Sequence, residues 1–158
     1  MPIHILTVGS LKEKYFRDAA AEYLKRLTRY DKVSVSEIPD IAEPANASAA
    51  QIAQTVASEG ERILSLIKGE DYVTALCIQA PQYSSEKFAQ KLQYIKDASK
   101  RHVFVIGGSN GLSDKVLVRA NEQLSFSDMT FPHQLARVML LEQIYRACKI
   151  NANERYHK

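Results

Sequence analysis

Apolar positions along the chain follow two rhythms: short continuous runs, and longer stretches that repeat every three or four residues. Ile3 to Val8 is the first run, largely apolar and closed by Gly9, which predicts a central strand. Tyr15, Phe16, Ala19, Ala20, Tyr23, Leu24 and Leu27 then keep helical spacing. Lys25, Arg26 and Arg29 sit near the end of that helix, where cations suit its dipole. Val33 to Ile38 alternates imperfectly, as an edge strand would, and Pro39 to Ala47 reads as a loop with two prolines. Ser48 with Gln51 fits a capping box, opening a helix through Ile52, Val56, Ile63, Leu64 and Ile67 to Gly69. Tyr72 to Ile78 is a third strand. Ser84 caps a helix through Phe88, Leu92 and Ile95, His102 to Ile106 is a fourth strand, and Leu124 to Phe126 a short fifth.

The chain closes on a long helix. Pro132 is expected at its first position, where a missing N–H costs nothing. Leu135, Val138, Met139, Leu141, Ile144, Tyr145 and Cys148 then form an apolar stripe, and Leu140 widens it beyond one face. Glu142 and Arg146 stand four apart in the favourable order for an ion pair. Strands alternating with helices predict an α/β fold, a mainly parallel sheet flanked by helices. No repeat or linker divides it, so residues 1–158 read as a single domain. Sheets of this kind bind ligands at the carboxyl ends of their strands, which directs attention to the loops after Ile78, Ile106 and Phe126.

Composition narrows the class only a little. The 158 residues are 46% hydrophobic and 25% charged, ordinary values for a globular protein. No run approaches the roughly 20 apolar residues of a membrane span, and no signal peptide is evident, so the expected location is cytoplasmic. Cys77 and Cys148 lie in apolar elements and suggest neither a disulfide framework nor a metal cluster. The net charge of +3 is unevenly spread. Residues 1–32 carry seven Lys/Arg against four Asp/Glu, residues 137–158 five against two, and the middle nine against twelve. Two basic ends form a phosphate-facing surface if the fold unites them; two solvated helix faces account for the charges equally well.

Three segments carry candidate chemistry. Gly107-Gly108-Ser109-Asn110-Gly111 is a glycine-rich turn after the most apolar strand, permitting close backbone approach by a ligand, or simply a tight turn. It is neither G-x-G-x-x-G nor a phosphate-binding P-loop. Ser125, Ser127, Asp128 and Thr130 alternate with Phe126, Met129 and Phe131, a pattern suited to a flat ring with polar edges, or to strand alternation running on. His133 more often makes a local bond in a first turn than acts as a base. The terminal Arg155-Tyr156-His157-Lys158 places a stacking ring, a titratable ring and two cations within four residues, a compact set for holding a nucleotide.

Together VGSLKEKYFRDAAAEYLKRL, VFVIGGSNGL, LSFSDMTFPHQLARVMLLEQIYRA and the terminal YHK resemble the small SPOUT-superfamily methyltransferases that act on 23S ribosomal RNA, over essentially the whole chain. The resemblance implies a homodimer, a C-terminal trefoil knot that general topology rules would not predict, and S-adenosylmethionine as methyl donor. It implies N3 of a pseudouridine in the large-subunit rRNA as acceptor. By motif position it places the cofactor on Leu76, Gly108, Ser127, Asp128, Met129, Thr130, Phe131 and Pro132. For the acceptor proton the tail offers His157 as a base, or Arg155 and Lys158 as cations stabilising the anion, with Tyr156 to stack or hydrogen-bond the base. The residues do not choose between them, and in a dimer the tail would reach over the partner's pocket. One departure is local: Ala80-Pro81 stands where many members carry Gly-Lys, which puts contacts from that loop in doubt. The rival readings are a non-catalytic nucleotide-binding module of flavodoxin type and a SPOUT enzyme acting on tRNA.

Overall fold

A computed structural model of the chain describes residues 2–158. Five strands form one parallel sheet: β1 (Ile3–Val8), β2 (Val33–Ile38), β3 (Tyr72–Leu76), β4 (His102–Ile106) and β5 (Glu122–Leu124), in the order β2-β1-β4-β3-β5. The two most apolar strands, β1 and β4, are central, and β2 is an edge as its imperfect alternation predicts. Alternate residues feed two cores, because side chains along a strand point to opposite faces. Ile3, Ile5, Phe104 and Ile106 pack under α1 (Lys14–Leu27), α3 (Ser85–Asp97) and α5 (His133–Asn151). Leu6, Val8, Val103 and Val105 pack against Ile63 of α2 (Ala49–Ser65) and Val116 of α4 (Asp114–Arg119).

Local chemistry sets the helix starts. Ser48 and Gln51 close the expected capping box on α2, and Ser84 accepts from the Lys87 amide to cap α3. Four expectations are corrected. Helix α2 ends at Ser65, before Gly69. Strand β3 ends at Leu76 and β5 lies two residues earlier than expected, because Leu124 pairs with Leu76. Beyond that pair the Ser125 hydroxyl folds onto the backbone of Ser127 and turns the chain out of the sheet. Pro132 is the N-cap of α5, with extended backbone, not its first helical residue. Helix α4 leaves no mark in the apolar pattern, because six residues are too few to show a period; it is started by Ser113 accepting from the Val116 amide.

Among the described residues no helix is long and apolar enough to cross a membrane. The loops after β3, β4 and β5 all leave at the same end of three adjacent strands, and there the chain leaves a large cleft.

Candidate active site

The cleft has a volume of about 930 Å³ and is walled by three segments. Leu76 to Gln79 follow β3, Ile106 to Leu112 follow β4, and Gln123 to His133 run from β5 into α5. The turn after β4 is built on glycine for a steric reason. A Cβ at Gly107 would lie 2.9 Å from the Gly111 carbonyl oxygen and 3.0 Å from Leu112 Cδ2. Gly111 itself adopts φ +81°, which glycine tolerates best. Its amide donates to the Gly108 carbonyl at 3.1 Å and closes the turn. A Cβ at Gly108 would point instead toward Val8 at 3.3 Å, Asp40 and Glu59. Gly108 therefore presents backbone to the cleft, while Gly107 is the position that leaves no room for a side chain.

The third wall is folded by its own hydroxyls. Ser125 is buried and bonds both backbone groups of Ser127, and the Ser127 hydroxyl accepts from the Met129 amide at 3.1 Å. Leu76, Gly108, Ser127, Met129, Thr130, Phe131 and Pro132 all line the cleft, as does His133. Asp128 does not line it; its carboxylate accepts from Gln82 Nε2 at 3.0 Å. Met129 is 72% exposed at the rim. Cys77 also lines the cleft, and burial pushes its thiol up, away from the thiolate a nucleophile needs. Ile78 and Gln79 contribute from the β3 loop, whereas Ala80 and Pro81 do not. The departure at Ala80-Pro81 thus lies outside the cleft wall.

The tail is elsewhere on the same chain. None of Arg155 to Lys158 lines the large cleft. Tyr156 packs edge-on against Tyr145 with ring centres 4.9 Å apart, lies under Arg146 at 4.7 Å, and donates its hydroxyl to Glu142 at 3.0 Å. Burial first, and then the Glu142 carboxylate, push the Tyr156 hydroxyl up to about 12. His157 is held at both nitrogens. Arg146 approaches Nδ1 at 3.2 Å, which makes Nδ1 the acceptor, and Nε2–H then donates to Glu86 at 2.8 Å. The Glu142–Arg146 pair, 2.5 Å apart, is thus both a helix pair and the dock for the tail. Glu142 also lines a second, smaller cleft of about 410 Å³, with Tyr23, Tyr83, Ser84, Val138 and Met139. The two clefts share Leu124, Ser125 and Phe126.

Two further features carry no signal in sequence. Glu59 of α2 is buried behind the glycine turn; burial chiefly raises its carboxyl, and Asp40 and Glu43 add repulsion against a bond from the Ile41 backbone. Arg137 of α5 is buried with a guanidinium that reaches the end of β1. Both arise from contacts between residues far apart in the chain, which periodicity does not encode.

The cleft suits a ligand with one flat apolar part and polar edges. Leu76, Leu112, Leu117, Phe131 and Ala136 supply the apolar wall, and backbone and hydroxyl groups of 106–109 and 127–130 supply the edges. Known proteins bear on the chemistry. The family model described as "Predicted SPOUT methyltransferase" matches residues 1–157. Ribosomal RNA large subunit methyltransferase H of Bacillus cytotoxicus and of Bacillus thuringiensis are each 52% identical over 159 residues, covering the whole of both chains. Solved structures share the fold at low identity. A methylase-family protein from Neisseria gonorrhoeae superposes with TM-score 0.54 at 14% identity, covering 91% of this chain and 81% of its own. A tRNA methyltransferase from Aquifex aeolicus gives 0.52 at 13%, covering 92% and 70%. A methyltransferase from Legionella pneumophila, solved with SAM bound, gives 0.50 at 10%, covering 93% and 66%. With a parallel sheet, a cleft at the ends of three strands and relatives matching from end to end, this chain belongs to the SPOUT methyltransferase family.

Proposed function

We propose that the protein methylates the large-subunit ribosomal RNA, using S-adenosylmethionine and delivering the methyl group to N3 of a pseudouridine in 23S rRNA. The observation that carries this reading is the gathering of seven of the eight expected cofactor residues on one cleft. The full-length relatives named as ribosomal RNA large subunit methyltransferases support the substrate class. The cleft's volume lies within the roughly 300–1,000 Å³ usual for small-molecule sites. In the same reading the protein is a cytoplasmic homodimer of single-domain chains, with a knotted C-terminal segment.

When bound, S-adenosylmethionine supplies a methyl group on a cationic sulfonium, open to in-line attack. The chain's task is to hold, align and desolvate the partners. Leu76, Gly108 and Ser127 to Pro132 (Asp128 excepted) would grip the cofactor largely through backbone, and Phe131 and Leu112 would exclude water. The imide N3–H of the base must lose its proton before the nitrogen becomes a useful nucleophile. His157 is the titratable group offered for that proton, and Arg155 and Lys158 are cations able to stabilise the anion. In the free chain both His157 nitrogens are engaged, so a base role requires RNA or a partner copy to displace Glu86 or Arg146. Tyr156, held protonated, serves as a donor or stacking ring and not as a base.

The test is methyl incorporation from labelled S-adenosylmethionine into naked 23S rRNA, isolated large subunits and assembled ribosomes, with tRNA alongside. Incorporation at a pseudouridine N3 in one of the first three is expected. Incorporation into tRNA alone, or into none, would overturn the reading.

A further inference from the structure

Helix α5 opens on the cofactor wall, yet no side chain caps it; Pro132 offers neither a hydroxyl nor a carboxylate to the first-turn amides. Its start is fixed by residues far away in sequence. Gln134 Oε1 accepts from the Lys12 amide at 3.0 Å, in the loop after β1. Three residues on, Arg137 donates through Nη2 to the Gly9 carbonyl at 2.9 Å and to Glu37 Oε2 at 3.0 Å. Gly9 directly follows β1 with φ +89°, and Glu37 of β2 pairs with Thr7 of β1, so one guanidinium ties α5 to two strands.

The cost of this arrangement indicates its use. Arg137 is only 5% exposed, its Glu37 partner is 45% exposed at the side chain, and Arg137 Nε finds no hydrogen-bond partner among the described residues. The Thr7 hydroxyl, also buried, is likewise unpaired. A buried charge so incompletely satisfied adds little to stability, and an apolar side chain of similar volume is often as good or better. What an apolar side chain does not provide is a directional link. Ala136, the residue before Arg137, and His133, one turn earlier, both line the cleft.

We infer that Arg137 is a positioning residue for methyl transfer: through Gly9 and Glu37 it fixes the first turns of α5, and so the Ser127–His133 wall of the cofactor cleft. The inference rests on the methyltransferase reading above. Gln134 is the lesser member of the same link.

The experiment is calorimetric titration of S-adenosylmethionine into the wild type, R137M, R137K and Q134A, each with its thermal midpoint, at a temperature well below all midpoints. R137M is expected to keep a midpoint within a few degrees of wild type while binding S-adenosylmethionine at least tenfold more weakly. R137K, which keeps a cation and a donor, is expected to recover part of the loss, and Q134A to lose a few-fold. In steady state R137M should raise KM for the cofactor more than KM for the RNA. A folded R137M with wild-type cofactor affinity overturns the assignment. If R137M does not fold, a R137K that loses thermal stability but no cofactor affinity overturns it equally. Wild-type protein that binds no S-adenosylmethionine would sink the methyltransferase reading itself, a result distinct from equal binding by wild type and variant.

Discussion

At Gly107 an added methyl would stand 2.9 Å from a backbone oxygen that cannot move without opening the turn, whereas at Gly108 it would press on Val8 at 3.3 Å. The two substitutions should therefore separate. Gly107→Ala is expected to weaken S-adenosylmethionine binding about tenfold or more, the scale of a 1–3 kcal/mol overpacking cost. Gly108→Ala, which meets a methyl able to shift slightly, should weaken it only a few-fold. Isothermal titration of both variants is the check, and the opposite order would refute this account of the turn. The sequence makes the turn legible, since three glycines after an apolar strand mark a tight or ligand-facing loop. Which glycine is indispensable depends on where each Cβ would point, and that is fixed by Gly111 and Leu112 folding back. Asp128 depends on a distant contact too: alternation places it in the loop, and its carboxylate accepts from Gln82 outside the cleft wall.

At the scale of elements, β5 is a three-residue edge strand, and side-chain bonds reinforce its hold on the sheet. Glu122 accepts from the Thr74 hydroxyl at 2.9 Å and the Tyr83 hydroxyl at 3.1 Å, and pairs with Lys91 at 2.6 Å. Since Thr74 spends its proton on Glu122, it must accept from His102 Nε2–H at 2.8 Å, leaving His102 neutral with Nδ1 unpaired. Burial first, and Lys91 second, hold the His102 imidazole down to about 3. The unfolded chain would protonate this ring near its ordinary 6.5, so between pH 6.5 and about 3 the unfolded state binds the extra proton. Stability is full above pH 6.5 and is lost as pH falls, by about 2 kcal/mol between pH 6.5 and 5 at roughly 1.4 kcal/mol per pH unit. Thermal midpoints from pH 7 to 5 should drop more in wild type than in His102→Gln, and parallel curves would sink the idea. Strands β1 and β4 were legible to the residue because their apolar runs are bounded by Gly or polar residues, and β2 because its alternation stops at Pro39. Strand β5 was displaced because Ser125 and Phe126 continue its alternation after the pairing has stopped. The caps on α2 and α3 were legible because capping chemistry is local, whereas Arg137 and Glu59 act across the fold.

For the whole molecule, the tail docks on α5 at Glu142 and Arg146, whereas the large cleft meets α5 at His133 and Ala136. In the single chain Tyr156 and His157 are docked on Glu142, Arg146 and Glu86, beside the smaller cleft, and the larger cleft is walled without them. Val138 and Met139 of α5 stay half-buried at that smaller cleft, so the wide apolar stripe is only partly used by the chain's own core. A second copy packed on this face would cover them and bring its own tail toward the cofactor cleft, which adjoins across Leu124 to Phe126. Sedimentation at micromolar concentration should then show about twice 17.8 kDa, and a monomer with full activity would contradict the arrangement. Removing residues 155–158 supplies the sharper test. The deletion takes no residue from the large cleft, so S-adenosylmethionine affinity should remain within a few-fold of wild type. It also strips the edge contact from Tyr145, so a small drop in thermal midpoint is expected. Single-turnover methyl transfer to ribosomes, in contrast, should fall by about a hundredfold or more, the range of a lost acid–base group. His157→Ala should account for most of that fall at saturating RNA, while Arg155→Ala should mainly weaken RNA binding, most of all at low salt and with a shallower salt dependence than wild type. Wild-type transfer rates from the truncated protein would return the tail to a purely structural clasp on α5, and leave proton removal to a group in the cleft itself.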